Sequence, residues 1–212
     1  IFHVGLLLEG KMEEGLDKLK ARGKPVYAVT RGIDEGRLLK PDEFEGHYDP
    51  HIWFEVLLWK ETVDMVVEGL SQLDSLHKVD YETNGENLKV RLGELHQWAE
   101  AKVAEIPQEK RILVTSHDAY NYFGRAYDFK VVGLQGISTV SEAGLADRTK
   151  LVDFIKSQEV KAIFVETTVS PEAIKAIASD AGVKVGGELF SDAMGERGQM
   201  EGGFDLGSYE GM

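Results

Sequence analysis

Residues 111–134 read RILVTSHDAYNYFGRAYDFKVVGL, and their pattern decides the fold class. An apolar, strand-forming run (111–115) leads to a polar pair, His117 and Asp118. A helical stretch over about 118–127 follows, and then a second apolar run, FKVVGL, at 129–134. Strand, helix and strand at this spacing make a βαβ unit, whose strands run parallel because the helix carries the chain back along the sheet. The alternation continues downstream. After the loop QGISTVS (135–141) a helix is expected over 143–157, then a strand at AIFVE (162–166). A helix over 171–180 comes next, with Ser170 as its cap and Pro171 at its first position, and then a strand at VKVGG (183–187).

Upstream the signals are similar but looser. The opening IFHVGLLL (1–8) reads as a strand, and Met12–Arg22 as an amphipathic helix with Leu16 and Leu19 on one face. Gly23 and Pro25 break that helix before a second strand, PVYAVT (25–30), and 31–49 is polar and irregular. Asp49-Pro50 has the form of a helix start, with Asp as cap and Pro at the first position; the helix expected over 51–70 is apolar on most faces. A long helix is expected over about 80–106, carried by Leu88, Leu92, Leu95, Ala99, Val103 and Ile106, with Pro107 ending it. The expected architecture is α/β, with two parallel-sheet, Rossmann-like lobes at 1–79 and 108–212 bridged by the long helix at 80–107. The chain opens directly into a strand, so the first lobe is expected to be incomplete and the chain to be a piece of a longer protein.

Composition excludes several functions. Among 212 residues there are 24 Lys and Arg against 37 Asp and Glu, a net charge of -13. Nucleic acid is therefore not an expected partner, because phosphate binding needs clustered cations. There is no cysteine, which removes disulfides, thiolate metal sites, iron–sulfur clusters and cysteine nucleophiles. No apolar run approaches the ~18–20 residues that span a bilayer.

In open α/β sheets ligands bind beyond the carboxyl ends of the strands. That rule selects His117 and Asp118 after the strand at 111–115, Glu166 at the end of the strand at 162–166, and Asp192 past the strand at 183–187. His51 stands apart, in the first turn of the helix expected from Pro50, where the helix dipole favours the neutral imidazole that a metal needs. Three readings fit this set. One is purely structural, with His117 capping a helix, Asp192 capping a turn and Glu166 paired to a lysine. A hydrolase built on Ser116, His117 and Asp118 is poorly supported, since adjacent side chains cannot chain nucleophile, base and orienter. The third is a metal site of imidazole and carboxylate, suited to zinc, manganese or iron(II). His47 and His51 have metal-site spacing, but Pro50 between them disfavours one helical face. His3, His77 and His96 read as structural, and Trp53, Trp59 and Trp98 as core packing.

Five stretches carry a resemblance: YDPHIWFE (48–55), LVTSHDAYNYFGRAY (113–127), VVGLQGISTVSEAGLAD (131–147), AIFVETTVSPEAI (162–174) and GGELFSDAMG (186–195). Together they resemble the TroA-like metal-binding receptors of zinc and manganese ABC importers, over essentially the whole chain and in order. The resemblance implies a non-catalytic receptor that captures a divalent transition metal, Zn²⁺ or Mn²⁺, in a cleft between two lobes and delivers it to a membrane permease. It implies a periplasmic or membrane-anchored extracytoplasmic location, including lipoprotein anchoring, and a mostly monomeric state, with association possible for an incomplete chain. Residue by residue it marks His51, His117 and Asp192 as metal ligands, and Glu166, Asp118 and Asp49 as supporting residues that orient a ligand or a bound water. The family's first ligand, a histidine in an earlier loop, has no counterpart here, so a fourth ligand is expected from a preceding segment. Manganese-dedicated relatives often carry glutamate at the position of His117, which shifts this site toward zinc. Two other readings use the same residues: a mononuclear metallohydrolase with Glu166 as base, and an adhesin-like interaction protein with a structural metal.

Overall fold

The computed structural model describes residues 1–44, 46–137 and 144–212. The expected loop at 138–141, the middle of the 131–147 stretch and the expected helix start at residue 143 lie outside these. The fold is α/β, in two compact units, Ile1–Val103 and Ala104–Met212.

In the first unit, strands β1 (Phe2–His3) and β2 (Tyr27–Ala28) pair in parallel. Both are far shorter than the sequence predicts. Gly5, Leu6 and Leu7 take positive φ values of 84°, 56° and 68°, which turns the chain out of the sheet directly after β1. The turn is held by Glu9, whose carboxylate accepts the amides of Val4 (2.7 Å) and Gly5 (3.0 Å), and by Glu13, which accepts that of Leu7 (2.9 Å). Beyond β2 the chain coils into a 3-10 turn at Val29–Gly32. Helix α1 covers Glu13–Ala21, with Leu16 buried and Glu14 paired to Lys18 along one exposed face.

Helix α2 covers Val56–Leu73, so it starts six residues after Pro50 rather than at it. The Asp49 carboxylate is turned onto His51 instead of capping a helix, and Ile52–Phe54 form a separate 3-10 turn. Along α2 the residues Leu57, Asp64, Glu68 and Gln72 form one exposed stripe, while most other positions, Val56, Leu58 and Val63 among them, are buried or half-buried, in keeping with its apolar sequence. Helix α3 (Lys78–Ala104) ends just before Pro107, as its sequence predicts. Gly85 looks out of place inside it until its neighbour is seen: a Cβ there would stand 2.5 Å from Val67 Cγ2, so glycine is what lets α3 approach α2. Trp98 departs from the core reading, being 46% exposed, whereas Trp53 is buried.

The second unit follows the predicted alternation: β3 (Ile112–His117), α4 (Asn121–Tyr127), β4 (Lys130–Gln135), α5 (Leu145–Ser157), β5 (Ala162–Glu166), α6 (Glu172–Ala181) and β6 (Lys184–Leu189). β3 pairs in parallel with β4, β5 with β6, and β3 lies against β5. The core is aliphatic, with Val114, Ile155, Ile163, Ile174 and Ile177 almost wholly buried between strands and helices. At α6 the cap is Pro171 rather than Ser170, and Gly182, at φ 72°, closes the helix in the left-handed conformation. Past β6 the chain makes an antiparallel hairpin, β7 (Met200–Glu201) and β8 (Phe204–Asp205), that the sequence reading does not anticipate. Gly202 and Gly203, with φ of 59° and 93°, fit the two-residue turn of such a hairpin, a signal present in the sequence. Among the described residues no helix is long and apolar enough to cross a membrane.

Candidate metal centre

Each unit presents one histidine whose Nδ1 faces a buried carboxylate. In the first unit this is His51, just ahead of the 3-10 turn. Asp49, fully buried, accepts the His51 amide (3.0 Å) and approaches its Nδ1 at 2.7 Å through the same oxygen. A carboxylate at Nδ1 keeps the proton on that nitrogen and leaves the Nε2 lone pair as the donor to a metal. The helix-dipole argument for a neutral His51 is thereby overturned, since no α-helix begins at Pro50; the Asp49 carboxylate sets the tautomer instead. The Trp53 ring meets the imidazole edge-on, with centroids 5.3 Å apart. His47 is exposed and packs on Phe44, held by its amide to the Phe44 carbonyl (2.9 Å).

In the second unit His117 is the last residue of β3 and Glu166 the last of β5, and both are buried. Strand adjacency brings them together across 49 residues of chain. One Glu166 oxygen accepts the His117 amide (2.9 Å), and the other stands 2.5 Å from Nδ1. The lysine partner that the structural reading supplies for Glu166 is therefore replaced by an imidazole. On the far side of the ring, Nε2 stands 3.5 Å from Oδ2 of Asp192, which lies just past β6 and is partly exposed. Asp118 serves a different purpose. Its carboxylate accepts the Gly133 amide (2.7 Å) and its own amide donates to Gln135 O (3.1 Å), tying the end of β3 to β4. The Ser116 hydroxyl is buried with no hydrogen-bond partner among the described residues, so nothing activates it as a nucleophile.

Charge follows from this packing. Burial alone would push the His117 imidazole down, but the carboxylates of Asp192 and Glu166 outweigh it and raise the group to about 9. The ring is thus protonated at neutral pH, a single positive charge flanked by two carboxylates, one facing each ring nitrogen. Burial, aided by the negative charges of Glu166 and Asp192, pushes the nearby Tyr120 phenol far above its ordinary range. Its hydroxyl donates to the Phe190 carbonyl (2.8 Å), and Ser191 and Thr168 join through their hydroxyls at 3.0 Å. The sequence reading passes over Tyr120, Thr168 and Ser191. Only the closeness of Ser191 to Asp192 in the chain could have drawn notice. His3 lies near Glu9 (3.5 Å), His77 near Asp74 (2.8 Å) and His96 near Glu100 (3.4 Å), each a local pair.

These features have relatives. The family model described as ZnuA, zinc-uptake complex component A, periplasmic, matches residues 1–212. The manganese-binding lipoprotein MntA of Bacillus subtilis is 41% identical over 100% of this chain and 69% of its own length. The zinc-binding protein TroA of Treponema pallidum is 39% identical, over 100% of this chain and 68% of its own. The solved structure of periplasmic zinc-binding TroA from Treponema pallidum superposes with a TM-score of 0.93 at 38% identity, covering 100% of this chain and 76% of that one. The laminin-binding protein Lbp of Streptococcus pyogenes matches with a TM-score of 0.73 at 27% identity, over 87% of this chain and 68% of that one.

Proposed function

The chain belongs to the ZnuA family, the periplasmic A components of zinc-uptake complexes, and from that premise we propose that it captures one divalent transition-metal ion outside the cytoplasm and hands it to an ABC importer permease. The ion is cargo, so no catalytic step is needed, and the family consists of substrate-binding receptors rather than enzymes. His51 through Nε2, His117 through Nε2, and Asp192 through its carboxylate supply the donors. Zinc takes four ligands, so one further donor, a histidine or a water, completes the sphere.

The observation that carries this reading is the environment of His117, with Glu166 on Nδ1 and Asp192 3.5 Å from Nε2. A carboxylate–imidazole pair directed at a second carboxylate is the support that a metal-ligating histidine ordinarily has. Nitrogen-rich donors and the Irving–Williams order favour zinc over manganese in binding strength. Similar relatives are named for each of the two metals, which supports zinc or manganese as the physiological cargo. Membrane anchoring as a lipoprotein fits the name of the manganese-binding relative, and a monomer suffices for one ion per chain. The metallohydrolase reading loses its base, because both Glu166 oxygens are turned to His117.

Calorimetric titration of the metal-stripped chain with Zn²⁺ and Mn²⁺, beside Asp192→Ala, tests the proposal. One site per chain, tighter for zinc and weakened at least about tenfold by the substitution, is the expected result. Absence of binding by either metal would overturn it. The laminin-binding relative supplies the competing outcome: stability indifferent to metal, together with metal-insensitive binding to laminin.

A further inference from the structure

Asp192 is partly exposed and sits in a bend outside regular structure, yet a ligand must be held in place before the ion arrives. The three residues ahead of it are fastened one after another. The Leu189 carbonyl accepts the Thr167 amide (3.0 Å), the Phe190 carbonyl accepts the Tyr120 hydroxyl (2.8 Å), and the Ser191 hydroxyl meets that of Thr168 (3.0 Å). Thr167 and Thr168 directly follow β5. Tyr120 belongs to the loop between β3 and α4, three residues past His117, and is only 5% exposed. The Tyr120–Phe190 bond therefore joins the segment carrying His117 to the segment carrying Asp192 across 70 residues of chain.

We infer that Tyr120 is a positioning residue for metal capture: its hydroxyl, by holding the Phe190 carbonyl, sets the separation and angle between His117 Nε2 and the Asp192 carboxylate. The inference rests on the metal-receptor reading above. A bond through the backbone two residues before the ligand acts on the path of the main chain, so losing it lets the carboxylate swing without removing any donor. Groups that orient a ligand typically change metal affinity 10–100-fold when removed.

Tyr120→Phe keeps the ring and its packing and deletes only the hydroxyl. The wild-type and variant chains are compared for Zn²⁺ affinity, for the visible absorption spectrum of the Co²⁺-loaded protein, and for the urea midpoint of the metal-free protein. The expected result is about tenfold weaker zinc binding and altered Co²⁺ bands, with little change in the metal-free midpoint. Unchanged affinity and spectrum overturn the inference. So does weaker binding with an unchanged spectrum and a lowered midpoint, which marks a merely structural hydroxyl. If the variant does not fold, Thr168→Val frees the same segment from the β5 side, and unchanged affinity and spectrum there count equally against it. If the wild-type chain itself binds neither Zn²⁺ nor Co²⁺, the receptor reading falls and takes this inference with it. Binding by the wild type with an indifferent variant defeats the inference alone.

Discussion

Asp49 and Glu166 do for two histidines what water would do badly. Each buried carboxylate stands against Nδ1 of its histidine and restrains the ring, without the motional freedom of a solvated side chain. Replacing Glu166 by glutamine keeps the size and a hydrogen-bonding atom for the His117 amide but removes the charge behind the imidazole. Zinc affinity is expected to fall about 10–100-fold in Glu166→Gln, measured by competition with a fluorescent chelator. An unchanged affinity would mean that the pair serves only the strand ends. The types of these residues are readable in the chain, as are their places after strands. Their partners are not equally readable: Asp49 is two residues from His51, while Glu166 reaches His117 only because β5 lies against β3.

Among the elements, those whose rules are local agree with expectation. Pro107 ends α3, and the strand–helix alternation of the second unit follows its periodicity to within a few residues. Disagreement appears where a side chain competes with a backbone rule. Asp49-Pro50 has the composition of a helix start, yet the Asp49 oxygen that would cap a helix holds His51, and α2 waits until Val56. Likewise β1 stops at His3 because Glu9 and Glu13 take the amides of the following turn. Gly85 tests the packing of α2 on α3. Alanine is the better helix former by about 1 kcal/mol, but its Cβ would collide with a stiff, β-branched Val67. Overpacking of this kind costs about 1–3 kcal/mol, so Gly85→Ala is expected to lower the urea midpoint, and a raised midpoint would show that the helices can separate freely.

At the scale of the whole molecule, the candidate site is expected to couple metal binding, protonation and stability. In the metal-free protein His117 is raised from an ordinary 6.5 to about 9. A group bound more tightly to its proton when folded adds stability that is fully present below pH 6.5 and disappears as pH rises through about 9. Metal-free stability is thus expected to decline between those values, and His117→Asn should flatten the decline in urea titrations at pH 6, 7.5 and 9. Because zinc must displace that proton, binding at pH 7 should release about one proton, read as a dependence of calorimetric heat on buffer ionisation enthalpy. No release would mean that His117 is not a ligand.

By itself the sequence determined the α/β class, the parallel order of strands in the second unit, the end of the long helix, the absence of thiolate chemistry, and the family, with its histidines and carboxylates placed after strands. These follow from periodicity, composition and breaker residues, which act over a few positions. Only tertiary structure decided which carboxylate stands behind which imidazole, why glycine is required inside α3, where β1 and α2 begin and end, and how Tyr120 reaches the chain beside Asp192. Those contacts join residues up to 70 positions apart or set one local rule against another. Their outcome depends on burial and strand adjacency, which exist only once the chain has folded.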